Sequence, residues 1–188
     1  MKYVLSQIFA VLGMLFLASS YLTKNKRVVL LLIIVSPILY SLHYLLLGAL
    51  TGAILNVASI IRTIWYYYLE KKDLKNDWAS LIIFEVIFLA LGIVTWTGTQ
   101  SILPILAHTA LTFAVWKPQI IYYKVVSLTN ECIFITYDFL IGSMFGMCTE
   151  VILLFIALFG LVYYLTKQTS RDKSFSTIMR VLNDKNFR

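Results

Sequence analysis

Apolar runs of roughly 20 residues, separated by short polar turns, recur along almost the whole of this chain. A helix closes its own backbone hydrogen bonds, and roughly 20 apolar residues carry it across about 30 Å of hydrocarbon. Such runs constrain the fold to a bundle of membrane helices. Charge usage agrees: 13% of the 188 residues are charged, against about 25% in soluble domains. The runs predict seven spans, at 3–22, 28–47, 51–69, 78–95, 101–116, 119–141 and 144–165. The first run continues directly into the others without a cleavage pattern, so it is taken as a transmembrane helix.

Net charge is +7, and its placement points to membrane topology, with no nucleic-acid partner. With the N-terminus outside, the basic turns around Lys24, Lys26 and Arg27, Lys71, Lys72 and Lys75, and Lys117 and Lys124 fall on the inner side. Lys167 and the tail join them, while the outer side keeps only Lys2. That bias predicts a cytoplasmic C-terminus. Cys132 and Cys148 lie in apolar runs without metal or redox spacing, so they are expected to be small buried hydrophobes.

A pattern repeats with an offset of 94 residues. Gly48, Gly52 and Asn56 match Gly142, Gly146 and Glu150, and His43 and Tyr44 match Tyr137 and Asp138. Gly48 and Gly142 suit tight turns; Gly52 and Gly146 suit close helix approach. The expected fold is therefore an all-α integral membrane protein with seven transmembrane helices in a 3+1+3 plan of parallel three-helix repeats. Its parts are one membrane domain at 1–168, divided into a repeat at 1–70, a linker helix at 78–95 and a repeat at 97–166. A cytoplasmic basic tail at 169–188, flexible or surface-lying, completes it.

Polar groups inside spans are costly and face a bundle interior or an aqueous path. Asn56, His108, Asn130, Glu131 and Glu150 are candidates for a central polar cavity. Gln7, His43, Tyr137 and Asp138 are candidates for a secondary cavity or an outer gate. Glu131 and Asp138 are seven residues apart and share a helix face, with Asn130 and Tyr137 beside them. Pro37 predicts a kink and a released carbonyl in the second span. Arg62 and Glu85 suit a structural charge pair, and Lys124 can snorkel to the inner surface. The spacings match no metal motif and no catalytic constellation, so neither a metal, a cofactor nor an enzyme is expected.

Residues 7–13, the basic turn Lys24-Asn25-Lys26-Arg27, and His43-Tyr44-Leu45-Leu46-Leu47-Gly48-Ala49 followed by Gly52 and Asn56 resemble the bacterial inner-membrane YgjV-type family. The likeness is clearest through Arg62. It implies an inner-membrane location and transfers no substrate or catalytic residue. The 3+1+3 plan is similar to SWEET-type sugar transporters and PnuC-type vitamin transporters at the level of fold. Lys117-Pro118-Gln119 contains the Pro-Gln pair of PQ-loop proteins, without a counterpart near Thr23-Lys24-Asn25. These features predict a transporter of a small polar solute working by alternating access, with membrane lipids as its surroundings. The alternative is a membrane protein whose buried polar groups only pack helices; an enzyme or a gated channel is a weaker third reading.

Overall fold

A computed structural model describes residues 2–74 and 77–185, with side chains as far as Thr169. The tail residues 170–188 and Lys75, which contribute to the charge bias, lie outside the described side chains. Seven α-helices occupy the described residues: α1 (Lys2–Leu22), α2 (Lys26–Leu46), α3 (Leu50–Lys71), α4 (Trp78–Val94), α5 (Ile102–Trp116), α6 (Ile120–Leu140) and α7 (Met144–Lys185).

Local chemistry sets the helix ends. Asn25 caps α2 by accepting from the Arg27 amide at 2.9 Å, and Asp77 caps α4 through the Ser80 amide. Pro118 ends α5, because the residue before a proline is driven out of the helical region; Lys117 has ψ 137°. At the end of α2, Gly48 adopts φ +77°, with its amide bonded to Leu45 and the Ala49 amide bonded to Tyr44. The end of α6 has the same geometry: Gly142 adopts φ +76°, with bonds from Gly142 to Phe139 and from Ser143 to Asp138. Both are Schellman turns, in which a left-handed residue lets two amides reach back to orphan carbonyls.

The expectation of seven spans is not met. Among the described residues, three helical stretches are long and apolar enough to cross a membrane: Lys2–Leu22, Lys26–Leu46 and Met144–Thr169. The apolar helix α4 has 17 residues and α5 has 15, both short of the roughly 20 that a span takes. The α3 and α6 helices have the length but not the apolarity: Arg62, Glu70 and Lys71 fall in one, Lys124, Glu131 and Asp138 in the other. With the seven spans goes the 3+1+3 plan of parallel bundles built on them.

The architecture is instead a closed ring. Neighbour packing runs α1–α2–α3–α5–α6–α7 and returns from α7 to α1, while α4 packs outside against α3 and α5. Polarity is inverted relative to a water-soluble protein. Arg62, Glu131, Asp138 and Glu150 are at most 2% exposed, whereas Ile93, Phe155 and Phe159 are more than 60% exposed. An apolar skin around a polar interior is the arrangement that hydrocarbon selects.

Two smaller expectations also change. Lys124 does not snorkel: it is buried, and its ammonium donates to the Tyr21 carbonyl at 2.5 Å. That carbonyl lies at the end of α1, where the helix offers no amide of its own. Cys132 and Cys148 are free and exposed on the outer surface, so they are not core hydrophobes.

Candidate functional site

Helical spacing collects the polar side chains inside the ring. On α6, Tyr123, Ser127, Asn130, Glu131 and Phe134 repeat at three- and four-residue steps and share one face. Ser36, Pro37, Tyr40 and Tyr44 do the same on α2, and Asn56, Ser59 and Arg62 on α3. These faces meet around a partly open cavity of about 60 Å³. His108 enters from α5, Glu150 from α7, and Leu17 and Tyr21 from α1; α4 contributes nothing to the lining.

The structure brings all five residues expected of a central cavity, Asn56, His108, Asn130, Glu131 and Glu150, to this one space. Their bonding differs. Asn56 donates to the Gly52 carbonyl of its own helix at 2.9 Å, and Asn130 reaches across to the Ala107 carbonyl at 3.1 Å. Glu131 accepts from the Tyr21 hydroxyl, and the Glu150 carboxyl adjoins both Glu131 and the Tyr40 hydroxyl. His108 lies parallel to the Phe88 ring with centroids 5.3 Å apart.

Arg62 also belongs to this lining. Its guanidinium donates to the His108 carbonyl at 3.3 Å and to Thr112 Oγ1 at 3.0 Å, and stands over the Phe88 ring at 5.2 Å. It makes no ion pair with Glu85, which is half-buried on α4 and acts on it only at longer range. The geometric reason is direction: Arg62 points from α3 toward α5 and the cavity.

Besides the Tyr40 and Tyr44 hydroxyls and Glu131 Oε2, which stand against neighbouring carboxyls, four buried polar atoms on the wall make no hydrogen bond within the protein: Arg62 Nε, both ring nitrogens of His108, and Asn130 Oδ1. An unsatisfied buried polar group costs about 1–3 kcal/mol, so these four call for a partner from outside the protein, water or solute.

Gln7, His43, Tyr137 and Asp138 do not line the cavity. They lie beyond it, on the side of the two Schellman turns. His43 bonds to the Ser6 carbonyl at 2.9 Å and to Ser143 Oγ at 3.4 Å, and Gln7 donates to Ser6 Oγ at 3.1 Å. Tyr137 packs edge-on against Tyr44, which does line the cavity, and Asp138 is wholly buried. Tyr44 thus connects the two clusters. Sequence reasoning passed over Tyr21 and Tyr123. Tyr123 had a readable signal, four residues before Ser127 and eight before Glu131; Tyr21 sits at a helix end, where tyrosine ordinarily marks the membrane boundary.

The ring, its apolar skin and its polar interior define a helical, largely apolar, multi-span membrane protein. Residues 4–168 match the Imp-YgjV family, described as bacterial inner membrane protein, and the chain belongs to that family. Its place is accordingly the bacterial inner membrane. No curated protein and no solved structure matches the chain. The likeness to SWEET- and PnuC-type transporters rested on seven spans and falls with them.

Proposed function

We propose that this protein binds a small polar solute in the ring cavity and carries it across the inner membrane by exposing that cavity to the two sides in turn, without chemical conversion. The observation that carries the reading is the set of four unpartnered polar atoms on the wall. Buried polar groups take a partner from protein, water or ligand, and these four find none in the protein. A solute with both donors and acceptors satisfies them, and the apolar lining from Leu17, Ile33, Leu111 and Phe134 accommodates its carbon frame. Pro37 on the cavity wall supports a moving part: it leaves the Ile33 carbonyl without its helical donor and loosens α2 there.

Uptake into proteoliposomes, screened over polar metabolites with and without a proton gradient, tests the proposal. Asn56→Ala and Glu150→Gln are expected to lower the uptake of an accepted solute by about tenfold or more, a loss of at least about 1.4 kcal/mol. A folded, reconstituted protein with no flux for any solute class would leave the polar interior as helix packing only.

The orientation belongs to the same proposal. Lys24, Lys26 and Arg27 in the α1–α2 turn, and Lys167 near the end of the α7 span, outweigh Lys2 at the opposite side. This bias puts the N-terminus outside and the C-terminus in the cytoplasm. An alkaline phosphatase fused after Lys167 should be inactive, and a fluorescent protein at the same point bright. The reverse pattern would invert the topology.

A further inference from the structure

The cavity wall is divided by charge. Glu131 of α6 and Glu150 of α7 adjoin each other and are at most 2% exposed. Tyrosine hydroxyls face them from the other helices: Tyr21 of α1 donates to Glu131, and Tyr40 of α2 stands against Glu150. Asp138 adds a further acid along α6. The basic groups are committed elsewhere. Lys124 is bound to the Tyr21 carbonyl, and Arg62 to the His108 carbonyl and Thr112.

Two carboxylates in contact, out of water and without a cation, cannot both remain ionised. A proton shared between them relieves the repulsion. A ligand cation of suitable size does the same. Elsewhere on the same wall, Arg62 Nε and the His108 ring nitrogens have no protein partner. The Arg62 side suits an acceptor.

We propose that the cavity takes a small organic solute whose ammonium group sits at the Glu131–Glu150 pair and whose acceptor end turns toward Arg62. This rests on the reading of the cavity as a solute site and narrows it to one chemical class. Binding exchanges one cation for another. The shared carboxyl O–H bond breaks, its electron pair stays on the carboxylate, the proton leaves to bulk water, and the ammonium takes its place.

Calorimetric titration of the purified full-length protein in detergent, with four probes of one chain length, tests this. The probes are butylammonium, 4-aminobutanoate, butanoate and butanol. The two amines are expected to bind, 4-aminobutanoate about tenfold more tightly, equivalent to about 1.4 kcal/mol. Repeating the titrations in buffers of different ionisation enthalpy should show up to one proton released per amine bound. Glu150→Gln should abolish both signals; if that variant does not fold, the panel on the unaltered protein decides alone. Binding of butanoate or butanol with both amines silent overturns the ammonium assignment and leaves the solute site standing. Amine binding without proton release overturns the exchange. Silence of all four probes overturns the ammonium assignment, and the solute site then stands or falls with the uptake screen.

Discussion

Gly160 and Gly142 are both glycine for reasons that can be separated. At Gly160 an added Cβ would collide with the Tyr21 backbone carbonyl, which is also the acceptor for Lys124. Backbone cannot step aside as a side-chain tip can, so Gly160→Ala should lower stability by about 1–3 kcal/mol. At Gly142 no atom lies within 4 Å of the added Cβ, but φ is +76°. Gly142→Ala should therefore cost about 1–2 kcal/mol through backbone handedness alone. Asparagine tolerates that region better, so Gly142→Asn should recover part of the loss, whereas Gly160→Asn should recover none. Denaturation of the purified protein in a single detergent compares the four variants directly. No recovery by asparagine at Gly142, or recovery at Gly160, would refute the distinction. The turn glycines were legible in the sequence because a left-handed turn leaves few choices. The role of Gly160 was not, because it depends on which helix lies opposite.

Helix α2 carries the proline of the cavity wall. Pro37→Ala restores the amide that the Ile33 carbonyl lacks and tightens the helix. The variant should be at least as stable as the parent in thermal unfolding, while solute uptake falls; unchanged uptake would remove Pro37 from the moving part. Helix positions were readable from the apolar runs, to within a few residues at most ends. Their number of crossings was not. The charged side chains that α3 and α6 bring to the cavity, Arg62 on one and Glu131 on the other, are among those that count against these helices as apolar spans. Sequence periodicity therefore marked the inward faces well, and grouped Asn56, His108, Asn130, Glu131 and Glu150 for the right physical reason, the cost of polar groups away from water. It assigned Arg62 to the wrong neighbour, because a guanidinium on a long side chain reaches across helices in a direction that spacing does not encode.

Across the whole molecule, Tyr21 is one residue through which the closed ring ties the lipid-facing surface to the cavity. The Tyr21 carbonyl is pressed by α7 at Gly160 and held by Lys124 of α6, while the Tyr21 hydroxyl bonds to Glu131. A helix in a bilayer thinner than its apolar length responds by tilting. The α7 helix is one of the three long and apolar enough to cross, so it is open to this response. Any change in its tilt moves the seat of Tyr21 and, through the hydroxyl, the carboxyl it holds. Bilayer thickness thereby becomes an input to the site. Solute affinity measured in nanodiscs of increasing acyl length should vary for the parent protein, and the variation should shrink in Tyr21→Phe, which keeps the packing and cuts the hydroxyl link. On the proposed solute-binding reading, the membrane in which the cell places the protein then sets the affinity of its site.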